Sequence, residues 1–218
     1  MAEDQRETEV KFCVRNLPTP PLPFGRLPQI RLPIWGRLGG GLIQPRTFEI
    51  NLRFDLPNRD LSRAGRVLRL RKDELARLTY KDNTQFKDGA LIRREIEFIA
   101  NDFDSAKQFI EALGYEVVFI YEKYRTIYEY KGAQMMLDEL PYGNFIEIEG
   151  ELETLRPIAD ELGLDWEKAI PTSYYALFER LRQSRGLTFR DLTFENFKEI
   201  KVSPKDMRVE FADNEVGT

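Results

Sequence analysis

The sequence contains no histidine and a single cysteine, Cys13, among its 218 residues. The lack of histidine excludes a Ser-His-Asp triad, a Cys-His pair and every zinc site that uses an imidazole ligand. The lone cysteine excludes an internal disulfide bond and an all-cysteine metal site. Any chemistry must therefore depend on carboxylates, Lys, Arg, Ser, Thr, Tyr or a bound metal.

Long uncharged runs are also missing. None approaches the roughly 20 apolar residues of a membrane-spanning helix, and the first residues do not form a secretory signal. We therefore expect a soluble, cytoplasmic protein with no membrane partner. The 33 basic and 37 acidic residues nearly balance at a net charge of −4. This balance lacks the basic surplus of nucleic-acid binders, so no nucleic-acid partner is expected.

The length suits one large domain, and no shift in composition demands a second. We predict one domain over residues 1–200 and a polar, frayed tail over 201–218. Seven of the twelve prolines lie between residues 16 and 46. Because proline at this density excludes a regular helix or central strand, we predict a Pro/Gly-rich loop insertion there.

Short segments of strand character dominate the rest of the chain. Three helices are predicted, one between strands in mid-chain and two after the last strand. The predicted strands are Thr8–Arg15, Thr47–Phe54, Arg66–Arg71, Ala76–Lys81, Leu91–Ile99, Val117–Tyr130, Gln134–Leu137 and Asn144–Glu149. The predicted helices are Asp104–Leu113, capped by Asp104, then Glu151–Leu162, and one that Thr172 or Ser173 caps and that runs through Ser184. The pattern predicts an α+β, mainly β protein.

Like charges recur two residues apart on these strands, and such residues share one face of a strand. Solvated faces usually mix signs, and like charges on one face repel unless a counter-ion or ligand neutralises them. The carboxylate pairs are Glu7/Glu9, Glu95/Glu97 and Glu147/Glu149, and the cation pairs are Arg69/Arg71 and Lys123/Arg125. We interpret the charged face as the lining of a closed eight-stranded antiparallel β-barrel, with peripheral helices over its apolar outer face.

Such a lining combines two kinds of ligand. Carboxylate pairs suit a hard cation such as Mg²⁺ or Mn²⁺, and rows of Arg and Lys match phosphate oxygens. Together they predict a site for a metal–polyphosphate complex. The usual phosphate-binding loop, Gly-x-x-x-x-Gly-Lys-Ser/Thr, is absent, so side chains must bind the phosphates.

The motifs that carry these charges resemble those of the CYTH superfamily, the triphosphate tunnel metalloenzymes. Glu7-Thr8-Glu9-Val10-Lys11 is similar to the N-terminal Glu-x-Glu-x-Lys signature of that family. The other matching motifs follow in family order: Phe54-Asp55-Leu56-Pro57, Leu68-Arg69-Leu70-Arg71, Leu78-Thr79-Tyr80-Lys81, Arg93-Arg94-Glu95-Ile96-Glu97, Glu122-Lys123-Tyr124-Arg125, Leu137-Asp138-Glu139 and Gly143-Asn144-Phe145-Ile146-Glu147-Ile148-Glu149.

The resemblance implies an eight-stranded tunnel that requires Mg²⁺ or Mn²⁺ and takes a triphosphate-bearing small molecule such as tripolyphosphate, ATP or thiamine triphosphate. It implies metal ligation by Glu7, Glu9, Glu147 and Glu149. It implies phosphate binding by Lys11, Arg69, Arg71, Lys81, Arg93, Lys123 and Arg125. It implies catalytic roles for Lys11, Glu95, Glu97 and Asp138, of which the three carboxylates Glu95, Glu97 and Asp138 would hold a second metal or orient water and lysines.

Two departures from the family pattern stand out. The Pro/Gly-rich segment replaces the amphipathic helix that usually follows the first strand, and it could serve as a contact in a homodimer. Arg53 stands where an aromatic residue is common in the family.

Three functions fit the sequence. The first is metal-dependent hydrolysis of a triphosphate, and we favour it because no adenine-reading motif is evident. The second is a class IV adenylyl cyclase, which forms cyclic AMP and pyrophosphate from ATP. The third is a non-catalytic module that binds polyphosphate or nucleotides.

Overall fold

Eight antiparallel strands form a sheet that closes on itself. The computed structural model describes residues 6–17 and 41–213. The strands are β1 (Arg6–Val14), β2 (Gly41–Asp55), β3 (Val67–Lys72), β4 (Ala76–Lys87), β5 (Ala90–Ala100), β6 (Glu116–Tyr130), β7 (Ala133–Leu140) and β8 (Gly143–Glu149). Around the barrel they follow the order β1-β5-β4-β3-β2-β6-β7-β8, and β8 pairs with β1. The predicted closed antiparallel barrel is confirmed.

Helices lie outside this barrel. In the described ranges they are α1 (Asp60–Arg63), α2 (Phe103–Ala112), α3 (Leu152–Glu161), α4 (Tyr174–Arg185) and α5 (Phe194–Phe197), with 3₁₀ turns at Trp166–Lys168 and Pro204–Met207. None of these helices is long and apolar enough to cross a bilayer.

The strands alternate between an apolar outer face and a charged inner face, as the sequence predicts. On β1 and β8 the outer residues Val10, Phe12 and Ile148 are buried against Leu155 and Ile158 of α3. Burying a side chain of this size stabilises the fold by about 1.5–3 kcal/mol. Helix α2 similarly covers the outer residues of β2 and β3 through Ile110.

Helix α4 closes one end of the barrel. Cys13 and Phe145 continue the inward-facing series of β1 and β8, and both pack with Phe178 of α4 in one aromatic cluster. Ser173 caps α4 by accepting a hydrogen bond from the amide of Ala176 at 3.2 Å. Gly186 ends the helix in the left-handed conformation at φ 65°. Cys13 is buried as a small apolar residue, and burial raises the pKa of its thiol to about 12.

The structure corrects the predicted element boundaries. Strand β2 begins at Gly41, so residues 41–46 belong to the sheet rather than to the predicted loop, whose residues 18–40 lie outside the described ranges. Asp102, not Asp104, caps α2 by accepting from the amide of Ser105 at 2.7 Å. Asp138 lies inside β7, which extends to Leu140, although the predicted strand ended at Leu137.

The segment after Val202 is ordered through Asp213, although we expected it to fray. Met207 and Ala212 are buried, and Phe211 forms a β-bridge with Cys13. The Asp213 carboxylate accepts from the amide of Arg15 at 3.0 Å. The apolar side chains of residues 203–213 pack against β1 and α4, and residues 214–218 of the predicted tail lie outside the described ranges.

Candidate active site

The barrel encloses a central cavity of about 430 Å³. Nine cations and six carboxylates of the described residues line it, and every strand contributes to the lining. The cations are Arg6, Lys11, Arg53, Arg69, Arg71, Lys81, Arg93, Lys123 and Arg125, and the carboxylates are Glu7, Glu9, Glu95, Glu97, Glu147 and Glu149. A surplus of cations in an enclosed space attracts polyanions.

Strand order separates the charges into two regions. The carboxylates lie on β8, β1 and β5, which are consecutive in the barrel. Most of the cations lie on β3, β2 and β6, across the cavity. The cavity therefore offers an anionic wall facing a cationic wall.

The anionic wall is strained by like charges. Glu9 and Glu149 stand directly opposite each other on β1 and β8. Burial, followed by the neighbouring Glu7, raises the pKa of Glu149 to about 7. Burial likewise raises the pKa of Glu9 against the opposing effect of Arg93. These carboxylates are thus only partly balanced by cations.

Two cations balance part of this wall. Lys81 Nζ lies 2.6 Å from Glu7 Oε2 and 3.0 Å from Glu95 Oε2. Arg93 bridges Glu7 at 3.3 Å and Glu9 at 3.0 Å. Arg93 therefore faces the cavity, while its neighbour Arg94 donates to Asp82 at 2.8 Å. Arg93 lies where it shields two carboxylates from each other.

Behind the cationic wall lies Asp138, which is fully buried and does not line the cavity. Its carboxylate accepts from Lys123 Nζ at 3.0 Å, from Arg125 Nε at 2.6 Å and from the Tyr174 hydroxyl at 2.8 Å. Arg125 also pairs with Glu147. Asp138 thus positions two cations instead of reaching the cavity itself.

Glu49 supports the same wall and was not among the predicted residues. Its carboxylate is buried 3.6 Å from Lys123 and 3.9 Å from Arg71. Burial alone would raise its pKa, but Lys123, Arg125 and Arg71 hold the pKa of Glu49 at about 2. The sequence did offer one indication that Glu49 faces inward. Residues 49, 51 and 53 lie two apart along β2, so Glu49 shares the inner face with Arg53.

Glu95 and Glu97 are the β5 members of the anionic wall, and Glu97 reaches Arg69 and Arg71 of the cationic wall. Glu97 accepts from Thr79 at 2.7 Å and from Arg71 at 3.3 Å. Burial alone would raise the pKa of both glutamates. Lys81 and Arg69 nevertheless lower the pKa of Glu95, and Arg71 and Thr79 lower the pKa of Glu97. Both therefore remain carboxylates at neutral pH.

Lys11 lies at the end of the cavity that α4 closes. Its ammonium pairs with Glu147 at 3.0 Å, donates to the Thr172 carbonyl at 3.1 Å and sits 4.2 Å from the centre of the Tyr174 ring. Burial alone would raise the pKa of Glu147, but Lys11, Arg125 and Lys123 hold that pKa well below its usual range. Tyr174 and Tyr175 line the cavity and also pack with barrel aromatics, so they serve both as core and as closure.

The structure brings every predicted site residue except Asp138 to the cavity surface. It adds Arg6, Arg53, Tyr174 and Tyr175 to the lining and Glu49 beneath it. The Nε–H groups of Arg69, Arg71 and Arg93 are buried and have no hydrogen-bond partner within residues 6–17 and 41–213. Buried donors of this kind cost free energy unless a ligand or water accepts from them.

The anionic wall fits a hard divalent cation by its chemistry, because it offers carboxylate oxygens that Lys81 and Arg93 balance only in part. As they stand, no three carboxylates of the described ranges are gathered to hold one ion. Mg²⁺ is usually bound through one or two carboxylates together with substrate phosphates, and this wall suits that mode.

Comparison with protein families supports the fold and its class. Residues 42–161, over half of the chain, match the model of the CYTH domain. The match begins after β1, so it does not include Glu7, Glu9 or Lys11. No match was found among the sequences of curated proteins.

Solved structures share the architecture. A candidate adenylate cyclase from Vibrio parahaemolyticus is 22% identical over 79% of this chain and 97% of its own, with a TM-score of 0.64. A protein from Pyrococcus horikoshii is 25% identical over 77% of this chain and 95% of its own, with a TM-score of 0.58. A conserved protein from Pyrococcus furiosus is 20% identical over 77% of this chain and 97% of its own, with a TM-score of 0.56.

Proposed function

This chain belongs to the CYTH family, and from that premise we propose that it is a divalent-metal-dependent triphosphatase. The observation that carries the proposal is the central cavity, in which an anionic wall faces a cationic wall inside a closed barrel. A triphosphate bound to a metal ion needs both walls, whereas a simple anion binder gains nothing from the repelling carboxylates Glu9 and Glu149.

The cationic wall binds the phosphates in this proposal. Arg69, Arg71, Lys123 and Arg125 face the cavity, and Lys11, Lys81 and Arg93 extend the set across it. Guanidinium groups can bind two phosphate oxygens at once, and they offset the charge that develops during phosphoryl transfer. Asp138 and Glu49 act as positioning residues, because each is buried against the cations it orients.

The anionic wall would hold Mg²⁺ or Mn²⁺ through Glu7, Glu9, Glu149 and Glu147, with phosphate oxygens completing the coordination. A bound divalent ion supplies Lewis-acid polarisation of the phosphoryl oxygens. Arg93, which now bridges Glu7 and Glu9, would then be free to turn toward the phosphates.

In this proposal Glu95 and Glu97 orient the attacking water. Both stay ionised at neutral pH through their cationic and hydroxyl neighbours. A carboxylate can accept the proton of a water held within hydrogen-bond reach. Lys11, fixed by Glu147 and Thr172, can offset charge on a terminal phosphate near α4.

A panel of substrates tests the proposal. Purified protein is incubated with Mg²⁺ or Mn²⁺ and with tripolyphosphate, ATP or thiamine triphosphate, and orthophosphate, pyrophosphate and cyclic AMP are quantified. Orthophosphate from a triphosphate, without cyclic AMP from ATP, supports hydrolysis. Cyclic AMP with equal pyrophosphate would identify a class IV adenylyl cyclase. Binding of tripolyphosphate without turnover, unaffected by EDTA, would identify a binding module.

A further inference from the structure

A second cavity of about 300 Å³ adjoins the central one at the end that α4 closes. Arg53 and Tyr175 line both cavities and form the wall between them. The rest of its lining is Arg59 and Ser62 from the α1 region, Val118 and Phe119 from β6, and Arg190. Among the described residues, this lining contains three arginines and no carboxylate.

Arg53 has an unusual environment for an arginine. It is largely buried on the inner face of β2, directly opposite Arg69 on β3. Its guanidinium lies 4.9 Å from the centre of the Tyr175 ring, and no carboxylate of the described ranges lies within ion-pair distance of it, although Asp55 acts on it from farther away. Like charges that face each other across a strand pair destabilise it unless an anion intervenes. Burial lowers the pKa of Arg53, against smaller opposing effects of Tyr121, Tyr175 and Asp55.

The other two arginines are anchored and reach the cavity from outside. Arg59 pairs with Glu116 at 3.1 Å, and Arg190 pairs with Asp191 at 2.9 and 3.0 Å. Arg190 Nη1 also donates to the Val117 carbonyl at 3.4 Å, and both side chains are half exposed, so each guanidinium keeps N–H groups for a further acceptor. The Ser62 hydroxyl already donates to Asp55 at 2.5 Å, so Ser62 contributes mainly to the shape of the cavity.

We propose that this second cavity is an anion site for a tetrahedral phosphate group, bound by Arg53, Arg59 and Arg190. Guanidinium forks match phosphate oxygens in geometry and charge, and three of them line this cavity, whose described lining includes no carboxylate, although Glu116 and Asp191 pair with two of them outside it. The site goes beyond the proposed hydrolysis, because its binding requires neither a metal nor turnover. Its phosphate is either a free orthophosphate ion or the terminal group of a chain that extends past the central cavity.

Isothermal titration calorimetry tests the site. The full-length protein is titrated with inorganic phosphate in the presence of EDTA. Tripolyphosphate is first added to saturation so that the central cavity is filled. We expect phosphate still to bind, and to bind about tenfold more weakly in Arg190→Gln and in Arg59→Gln. The matched control is Arg63→Gln, an exposed arginine of α1 outside the lining, which should bind as the wild type does.

Two results would overturn the assignment: displacement of all bound phosphate by tripolyphosphate, or unchanged phosphate affinity in both Arg190→Gln and Arg59→Gln. Arg53→Gln should show the largest loss. If Arg53→Gln does not fold, the two half-exposed arginines decide the test. If tetrapolyphosphate competes with orthophosphate, the end of a longer chain enters the site. If the two do not compete, the site binds the free orthophosphate ion. Since EDTA prevents metal-dependent turnover, failure of the proposed hydrolysis leaves this result unchanged.

Discussion

Glu9 and Glu149 face each other across the β1–β8 pair, Glu9 buried and Glu149 half-buried, with Arg93 paired to Glu9 at 3.0 Å. The backbone register fixes this approach, so only a proton, a cation or a rearranged Arg93 can relieve it. The pair therefore links the stability of the protein to pH and to divalent metal.

Replacing Glu149 with Gln should stabilise the metal-free protein at high pH. Its folded pKa of about 7 exceeds the ordinary value of 4.5, so the folded state binds this proton more tightly than the unfolded state does. The stability that this proton contributes is fully present below about pH 4.5 and is lost progressively as pH rises through about 7. In EDTA, we expect the Tm of Glu149→Gln to exceed that of the wild type by about 2–4 °C at about pH 8, and to equal it at about pH 4. An equal difference at both pH values would show that ionisation of Glu149 is not the cause.

Divalent metal should stabilise the wild-type protein without substrate. A ligand that binds only the folded state raises Tm by mass action, by about 2.7 kcal/mol at a hundredfold excess over Kd. Glu9→Gln removes one oxygen ligand and half of the opposed pair, so the shift should shrink strongly. Differential scanning fluorimetry across a Mn²⁺ series measures both. Equal shifts in the two proteins would remove Glu9 from the metal site.

Lys11→Ala and Arg71→Ala should lose turnover while keeping the fold. Each side chain lines the cavity and is held by carboxylates that retain other cations, Arg125 for Glu147 and Arg69 for Glu97. Loss of one charge-assisted contact to the transferring phosphoryl group costs about 10²-fold in rate. Phosphate release and circular dichroism are measured side by side, with the exposed Arg156→Ala as control. Retained turnover in both cavity variants would refute the phosphate assignment.

Asp138→Asn should destabilise the protein more than Tyr174→Phe does. The first change leaves Lys123 and Arg125 buried without a shared counter-ion, which costs about 3–5 kcal/mol. The second removes only one hydrogen bond to a charged group, worth about 1.5–3 kcal/mol. Urea unfolding monitored by fluorescence gives both values. A smaller loss for Asp138→Asn would show that Glu49 and Glu147 already balance the two cations.

The sequence predicted the barrel and most of its lining because strand alternation is local. Glu7, Glu9 and Lys11 had to share a face, and so did Arg69 and Arg71, whatever their partners. Residues outside the repeated like-charge pattern were harder to recognise. Glu49 is separated from Arg53 by the neutral Asn51, so its burial against Lys123 depended on a strand pairing that the pattern does not specify.

Other features depended on packing between distant segments. Asp138 alternates correctly for the inner face, but Lys123, Arg125 and Tyr174 cover it completely, and no local pattern indicates that cover. The ordered segment up to Asp213 has few apolar residues, and those few are held by β1 and α4. Arg53 departs from the family pattern in the sequence, but the second cavity beside it emerged only from the fold.

The most direct test of the central claim compares metal-dependent phosphate release from tripolyphosphate by the wild type, Glu9→Gln and Glu153→Gln. Glu153 is exposed on α3 and does not line the cavity, so its variant controls for the loss of one carboxylate. Loss of several kcal/mol of metal-derived stabilisation predicts a rate at least about a hundredfold lower for Glu9→Gln, with Glu153→Gln unchanged. Wild-type turnover by Glu9→Gln, or turnover that persists in EDTA, would contradict a metal held by the anionic wall.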